Sequence, residues 1–373
     1  MRKLLVAALS VAFIPSAVSI CGAENGPRLW VGAATSFVFD TNDPDRNGRS
    51  SFNRQSYANR KEERSFNVDL LQIGVEGSRG SASYRAKLDF GDLAKGLDDS
   101  LDDTFALQEA WIAYDMDAAG FAAGRFGTPI GYEAREPWAN ANVSRSWGWA
   151  VQPSNHDGLK AYTHLDDVDV MVGVVNSFSG TNGSPVGAPG NDLDDEKAVL
   201  ASLGWAPRDE MQLLVAGIYT ELLDTENTAM VTAIASGVLD ATSLALSYAL
   251  EAQWRRDDDS LAGAVAGQAG KDVSIWGFAG YVGTDLGATR LDLRLEWIDD
   301  GGILTDGFNG SFANDVELWE VTVTTSWELV AGLDLRLEYR HDEADQRVFA
   351  NDGGGADKRN DVVQAQLVWY PQR

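Results

Sequence analysis

The sequence has little of what disulfide-linked proteins and most metal centres require. It contains one cysteine, Cys21, and only three histidines among 373 residues. A single cysteine excludes an intramolecular disulfide framework and a cysteine-based zinc site, and so few histidines argue against a histidine-rich metal centre. No phosphate-binding glycine motif occurs either, since the glycine clusters at 301–302 and 353–355 are typical of loop tips. We therefore expect no metal and no other cofactor.

Basic residues and long apolar runs are also scarce. The chain has 30 Lys and Arg against 56 Asp and Glu, which gives a formal net charge of −26. Because contacts to phosphates need clusters of Lys and Arg, this balance argues against a nucleic-acid partner. After the N-terminus, no apolar run approaches the roughly 18 residues that a membrane helix needs. A helical membrane protein is therefore excluded, whereas a transmembrane β-barrel is not, because its strands are short and only one face is apolar.

The first 23 residues have the pattern of a secretory signal peptide. Arg2 and Lys3 precede an apolar stretch at 4–14, and small residues follow at 16–19. We predict cleavage after Ala23, which leaves residues 24–373 as one domain. A lipoprotein signal ending at Cys21 is an alternative, although the isoleucine before the cysteine is bulkier than usual. A buried N-terminal helix is a weaker alternative, because no capping residue precedes it.

Polar and apolar residues alternate with a period of two along the rest of the chain. In 290–297, charged residues alternate with Leu291, Leu293, Leu295 and Trp297, and similar patterns occur at 81–90, 242–254, 333–340 and 363–369. This period indicates strands with two different faces. Two architectures fit such strands. In a soluble sandwich the apolar face packs in the core, and in a membrane barrel it faces lipid while the polar face lines a wet lumen.

The lengths of the connections favour the barrel. Long connections rich in Asp, Asn, Gly and Ser follow the odd-numbered strands, except for the short link 222–227, and mostly short ones follow the even-numbered strands. A barrel with tight turns at one end and long loops at the other has this rhythm, and a sandwich has no reason for it. We therefore predict an all-β transmembrane antiparallel β-barrel of about sixteen strands. The candidate strands, of which the eighth, tenth and twelfth alternate less cleanly, are 28–39, 66–77, 81–91, 104–115, 120–128, 157–165, 168–178, 197–205, 210–221, 228–236, 242–254, 272–283, 288–298, 316–327, 333–342 and 361–370.

The connection after the fifth strand, 129–156, differs from the other loops. Its first 21 residues contain three tryptophans and one tyrosine, together with charges of both signs. A long aromatic-rich loop is expected to pack against something, and a sixteen-stranded barrel has a lumen wide enough to hold it. We expect it to fold inward and to narrow the pore with Glu133, Arg135, Glu136 and Arg145. The alternative is a plug that only braces the wall through Trp138, Trp147 and Trp149.

The same region carries a family resemblance. Residues 107–114 read LQEAWIAY and residues 123–133 read AGRFGTPIGYE, and NVSRS at 142–146, HDGL at 156–159 and VGVVN at 172–176 continue the pattern. These stretches resemble the OmpL-like β-barrel porins over roughly 105–180. The resemblance implies a pore in the bacterial outer membrane, in contact with outer-membrane lipid.

Both the pattern and the resemblance predict an outer-membrane porin, that is, a water-filled channel for passive diffusion of ions and small polar solutes. The polar faces of the cleanest strands then line the pore. Their charges nearly balance, which argues against strong selectivity, although they could equally form structural ladders between neighbouring strands. The predicted lining residues are Arg85, Lys87, Asp89, Arg125, Arg290, Asp292, Arg294, Glu296, Arg336, Glu338 and Arg340.

Acidic residues concentrate in three predicted external loops, at 98–103, 192–196 and 257–259. Carboxylates around the mouth of a pore raise the local cation concentration within a Debye length of about 8 Å at physiological salt, so we expect a mild cation preference. The same runs could instead bind divalent cations that bridge lipid headgroups, or simply be solvated.

Other functions remain as alternatives. A closed or plugged barrel with a structural or adhesive role would share every feature except conductance. An outer-membrane hydrolase is less expected, because Ser154 and His156 are too close in sequence to form a usual catalytic dyad and no Gly-x-Ser-x-Gly motif occurs. We therefore predict no enzymatic activity. Many sixteen-stranded porins are trimers, and the sequence leaves open whether this chain forms a homotrimer.

Overall fold

The computed structural model describes residues 26–43, 53, 64–94, 105–178, 197–222, 226–241, 244–258, 272–306, 316–352 and 354–371. Their central feature is a closed antiparallel barrel of sixteen strands. Among these residues, no helix is both long enough and apolar enough to cross a membrane. The predicted signal peptide, 1–23, and the acidic runs 98–103 and 192–196 lie outside the described residues, as does Asp259 of the third run.

The strands follow one another around the barrel in sequence order. The barrel strands are β1 (Arg28–Asp40), β2 (Phe66–Arg79), β3 (Ala82–Phe90), β4 (Phe105–Met116), β5 (Ala119–Gly127), β6 (Asn155–Leu165), β7 (Val168–Val175), β8 (Ala198–Arg208), β9 (Met211–Leu222), β10 (Glu226–Ala241), β11 (Leu244–Asp257), β12 (Val273–Leu286), β13 (Thr289–Asp300), β14 (Val316–Val330), β15 (Leu333–Ala344) and β18 (Arg359–Trp369). The short strands β16 (Phe349–Ala350) and β17 (Ala356–Asp357) form a separate hairpin. Two short helices, α1 (Trp147–Val151) and α2 (Ile303–Asp306), and a 3-10 turn at Pro137–Ala139 lie in the connections.

The first and last barrel strands pair and close the barrel. β1 runs antiparallel to β18, with Ala33 opposite Trp369 and Asp40 opposite Val362. At this seam, the buried carboxylate of Asp69 in β2 accepts hydrogen bonds from Ser36 Oγ and Gln366 Nε2, both at 2.6 Å. A single carboxylate therefore links β1, β2 and β18, and no open sheet edge remains in the barrel.

Each strand has a polar inner face and an apolar outer face, as the alternation predicts. In β13, Asp292 and Arg294 are buried, whereas Leu291 and Leu295 are exposed on the surface of the isolated chain. Polar groups are stable on the inner side because they meet water or each other, and the outer apolar face suits lipid. This arrangement confirms the barrel and rules out the sandwich.

The connections segregate by length. Two-residue links join β2 to β3, β4 to β5, β6 to β7, β8 to β9, β12 to β13 and β14 to β15 at one end. Asp117 and Asp166 lie in these turns with φ of +47° and +51°, the left-handed geometry that tight hairpins require. At the other end the connections are long, except for 223–225 between β9 and β10. The predicted rhythm is confirmed, and the predicted strand bounds differ from the observed ones by a few residues.

Candidate functional site

The connection between β5 and β6, residues 128–154, contains its own ordered turns. We call it the β5–β6 loop. Asn140 organises its first half, because its side chain accepts a hydrogen bond from the Ala134 N–H at 2.8 Å and donates to the carbonyl oxygens of Ala134 and Glu136, both at 2.7 Å. Ser146 caps α1 by accepting a hydrogen bond from the Trp149 N–H at 3.1 Å. The loop therefore holds its side chains in fixed positions.

Two inward-facing carboxylates of the barrel wall bind the backbone of this loop. Glu338 in β15 accepts from the N–H groups of 143 and 144 at 2.5 and 2.8 Å. Glu296 in β13 accepts from those of 147 and 148 at 2.6 and 2.8 Å. Each carboxyl group thereby satisfies two backbone N–H groups that burial would otherwise leave without an acceptor, so each is a firm anchor.

Buried ion pairs and arginine contacts reinforce the same side. Arg294 in β13 pairs with Glu133 of the loop at 2.7 Å and with Glu320 in β14 at 2.9 Å. Arg336 in β15 donates to the carbonyl oxygens of Pro137 and Asn140 at 3.0 and 2.9 Å. Since all of these charges are paired or hydrogen-bonded, their removal from water is largely compensated.

The loop also binds the opposite wall. Arg135 pairs with the buried Asp89 of β3 at 2.9 Å. Lys87 of β3 lies between Glu136, at 2.8 Å, and Glu109 of β4, at 2.7 Å. Burial by itself raises the pKa of Glu136, but the ion pair with Lys87 outweighs it and lowers the pKa to about 2. The loop is therefore fixed to β3 on one side and to β13–β15 on the other.

A cavity of about 700 Å³ separates the β5–β6 loop from the wall made by β1 to β6. Charges of both signs border it in equal number, and most are already paired, as Arg85 is with Glu76 at 2.9 Å. Aromatic rings of the wall and the loop complete its surface. The bordering basic residues are Arg28, Arg85, Lys87, Arg135 and Lys160, the acidic ones Glu76, Glu109, Asp115, Glu133 and Glu136, and the rings include Trp111, Tyr132, Trp149 and Tyr162.

Comparison with known proteins agrees with this geometry. The model of the family described as "Putative beta-barrel porin-2, OmpL-like" matches residues 32–369, nearly the whole chain. The chain belongs to this family. It is thus an outer-membrane porin, as the sequence predicts. A search of the curated proteins finds no match.

Solved outer-membrane proteins share the fold of this porin at low sequence identity. An anion-selective porin from Comamonas acidovorans is 12% identical with a TM-score of 0.60, over 92% of this chain and 99% of that one. The outer-membrane channel DcaP of Acinetobacter baumannii is 12% identical with a TM-score of 0.57, over 94% and 100%. The trimer form of OmpT from Vibrio cholerae is 11% identical with a TM-score of 0.53, over 92% and 99%. At these identities the likeness concerns the fold alone.

The predicted constriction residues of the porin do not all lie in the same surroundings. Glu133, Arg135 and Glu136 border the cavity, but Arg145 does not. Arg145 is buried within the loop, where it donates to the carbonyl oxygens of Arg135 and Val143, and burial lowers its pKa. Its guanidinium therefore serves the internal hydrogen bonds of the loop.

Most predicted lining residues lie on the inner face but are covered. Arg85 and Lys87 border the cavity. Arg290 and Asp292 pair with each other at 2.8 Å and border only a narrow crevice. The others are buried beneath the β5–β6 loop or in ion pairs with it or with the wall, namely Asp89, Arg294, Glu296, Arg336, Glu338 and Arg340.

The prediction places Arg125 on the inner face of β5, whereas its side chain lies on the outer face. It shares the outer face of β5 with the exposed Phe121, and its guanidinium forms two hydrogen bonds with Asp157 of β6, at 2.7 and 2.8 Å. The inner position beside it belongs to Phe126, which is 1% exposed and packs with Ile130 of the loop in the same hydrophobic cluster. Because the loop covers this part of the wall, an apolar ring is favoured inside, and the arginine faces outward near the end of the strand.

Sequence reasoning missed several residues that border the cavity. Lys160 and Tyr162 are the main ones, on the inner face of β6, and Glu109 and Trp111 share the inner face of β4. The signal for β6 is the same period of two, which places His156, Lys160 and Tyr162 on one face. No group of three or more metal-binding side chains occurs among the described residues.

Proposed function

We propose that solutes cross this porin through the cavity between the β5–β6 loop and the wall of β1 to β6. Glu133, Arg135 and Glu136 of the loop form its constriction, opposite Arg85 and Lys87 of the wall, with Arg145 in a supporting position inside the loop. The observation that carries this proposal is the cavity itself, bordered by equal numbers of acidic and basic groups. The loop's contacts with β3 on one side and β13–β15 on the other support an inward position.

The charge pattern favours weak selectivity among inorganic ions. Paired charges present dipoles to a passing ion instead of a net field, so small polar solutes are favoured over apolar ones. Acidic residues concentrate in the predicted external loops, where they would add a negative potential at the mouth, and we propose a mild preference for cations. This preference is expected to fall as salt rises, since screening shortens the range of the field.

We also propose that the porin has no enzymatic activity. Ser154 and His156 are the pair considered as a catalytic dyad, but each of them bonds to a different residue. His156 is buried and its Nε2 bonds to Thr128 Oγ1 at 3.0 Å, while Ser154 Oγ donates to the Asn155 side chain at 3.4 Å. A serine nucleophile needs a base within reach, and this arrangement supplies none.

We propose a homotrimer in outer-membrane lipid as the assembly. A trimer form of a similarly folded outer-membrane protein, OmpT, supports this assembly. The exposed apolar face of the barrel, with Leu250, Trp276 and Trp319 among its members, supports contact with lipid. Chemical crosslinking in native membranes, followed by electrophoresis without heating, is expected to give a band of three chains.

Recording from planar lipid bilayers tests the proposed path. Stepwise currents across a KCl gradient are expected, with a reversal potential slightly on the cation side. Silence from correctly folded protein would instead favour the closed or plugged structural barrel. The path itself is tested with Ser83→Cys, which borders the cavity, in a background with the one native cysteine, Cys21, replaced by serine.

A thiol reagent is expected to lower the current of the Ser83→Cys variant. The matched control is Ala82→Cys, one residue away on the exposed face of β3, where the reagent should leave the current unchanged. Equal effects at both positions would contradict the proposed path.

A further inference from the structure

One basic group at the cavity lacks a partner of its own. Lys160 lies on the inner face of β6, borders the cavity and is only 9% exposed. In the part of the chain that the structure describes, its ammonium group forms no ion pair and no hydrogen bond, and its close contact is the ring of Phe126, with the nitrogen 4.5 Å from the ring centroid. A ring face attracts an ammonium but offers no hydrogen-bond acceptor, so its donor capacity is unused.

The neighbouring charges do not neutralise Lys160. Glu109 and Arg85 are the charged groups that interact with it electrostatically. One oxygen of Glu109 accepts from Lys87 at 2.7 Å and the other from the Trp111 indole at 3.2 Å. Arg85 is paired with Glu76. Buried cations are normally paired, so an ammonium group without a partner beside this cavity suits an anion that arrives with the solute.

The surroundings of Lys160 indicate what else the solute carries. The Trp111 ring borders the cavity, with the Arg85 guanidinium 5.5 Å from its centroid. Tyr162, two residues from Lys160 on the same face, also borders the cavity, and its hydroxyl donates to Asp115 at 2.5 Å, which fixes the ring. Aromatic rings beside an ammonium group without an ion-pair partner suit a flat apolar body that bears one negative group.

We propose that this cavity contains a binding site for small aromatic carboxylates, in which Lys160 pairs with the carboxylate and the rings of Trp111 and Tyr162 contact the aromatic body. The inference rests on the proposed path, because the site lies on it. Binding is weak and brief, since a solute that crosses a pore must also leave it. Lys160 is a binding residue that selects among organic solutes.

Benzoate is the probe, with benzamide as its uncharged analogue and acetate as the carboxylate without a ring. Binding is measured by ligand-observed NMR on the folded protein in micelles, and current interruptions by the same probes are measured in bilayers. In the wild type, benzoate is expected to bind more tightly than either analogue. Lys160→Gln is expected to weaken benzoate binding about tenfold, the loss typical of one charge-assisted hydrogen bond.

Lys160→Arg keeps the charge and should restore benzoate binding to within about threefold, since arginine also pairs with carboxylates. Arg125→Gln is the matched control, because it removes a positive charge from the outer face of the adjacent strand and should leave binding unchanged. Unaltered benzoate binding by Lys160→Gln, or benzamide binding as tight as benzoate, would overturn the site. Acetate binding as tight as benzoate would overturn the aromatic part.

The two measurements separate the site from the path. Benzoate binding in micelles without any current in bilayers would uphold the site and reject the diffusion path. Normal currents without benzoate binding would uphold the path and reject the site.

Discussion

Arg294 and Glu133 form an ion pair at 2.7 Å in which the side chains are 0% and 4% exposed, and it joins the barrel wall to the β5–β6 loop across 161 residues of sequence. The pair has little access to water, so neither charge has an alternative partner in solvent. Glu133 also accepts a hydrogen bond from the Ser146 N–H at 2.7 Å. The Glu133 carboxylate therefore holds the loop through two contacts, one with the barrel wall and one with the backbone of the loop itself.

Removing Glu133 tests this dependence. Glu133→Ala leaves a buried arginine with one fewer carboxylate and a backbone N–H without an acceptor, so we expect the free energy of unfolding to fall by about 3–5 kcal/mol. Denaturant unfolding of the porin in lipid vesicles measures the change. Single-channel recordings should also show larger current fluctuations, because the loop is held less firmly.

The control for this variant is an exposed ion pair. Arg359 and Glu343 lie at 3.0 Å with side chains 66% and 45% exposed. Arg359→Ala should lower the free energy of unfolding by less than about 1 kcal/mol. Equal losses in the two variants would show that burial of the Arg294–Glu133 pair has no special importance.

Acid is expected to loosen the loop through Glu136. Its pKa is lowered from the ordinary value of 4.5 to about 2 by its pair with Lys87. A lowered pKa in the folded state stabilises the protein fully above pH 4.5, and this contribution is lost as the pH falls towards 2. Current fluctuations and the free energy of unfolding, followed between pH 7 and pH 2, should therefore change mainly in the lowest part of this range.

Glu136→Gln separates this effect from general acid sensitivity. The variant should be less stable than the wild type at neutral pH and should lose less stability on acidification. Glu328→Gln changes an exposed carboxylate at the end of β14 and serves as the matched control. An acid response of Glu136→Gln identical to that of the wild type would assign the effect to other groups.

Gly32 in β1 leaves room for a tryptophan of the loop. A Cβ atom at this position would lie 2.4 Å from the ring of Trp138, well inside van der Waals contact. Gly32→Ala should therefore displace the Pro137–Ala139 turn and reduce the free energy of unfolding by roughly 1–3 kcal/mol, as overpacking does. At Gly280 of β12 the nearest atom is 3.7 Å away, so Gly280→Ala should have a much smaller effect in the same assay.

Arg135 and Arg125 are expected to differ in their effect on ion selectivity. Arg135 borders the cavity and pairs with the buried Asp89, whereas Arg125 lies on the outer face. Arg135→Gln leaves the Asp89 charge uncompensated near the path, and the reversal potential in a KCl gradient should move towards cations. Arg125→Gln removes the same charge and should leave it unchanged, and a shift in both would place Arg125 on the path after all.

The barrel itself could be predicted from the sequence because the alternation that indicates it can be recognised within a few neighbouring residues. Side chains of a strand alternate between two faces, so stretches such as 290–297 show their faces within a few residues. The two-residue turns are equally local, since residues such as Asp117 need only adopt a positive φ. The number of strands and their order around the barrel follow from these two patterns.

The contacts of the loop could not be predicted in the same way. Asn142 of the loop bonds to Thr324 of β14 at 2.8 Å, although the two residues lie 182 positions apart in sequence. This contact depends on how β14 is placed in the closed barrel, which no local pattern shows. The error at Arg125 has a similar origin, because the loop turns part of the inner wall into an apolar contact around Phe126. Lys160 was missed because its own strand has few charged residues. Its lack of an ion-pair partner depends on which groups Glu109 binds, and the sequence does not show this.

The anchors of the β5–β6 loop also set an order of assembly. Glu296 and Glu338 come about 150 and 195 residues after the backbone groups that they bind, in β13 and β15. The loop is therefore synthesised long before its binding surface exists, and we expect it to reach its final position after β18 has paired with β1 and closed the barrel. A barrel captured just after closure should conduct more freely than the mature one. Refolding followed by current should accordingly show a wide early channel that narrows in a separate, slower step.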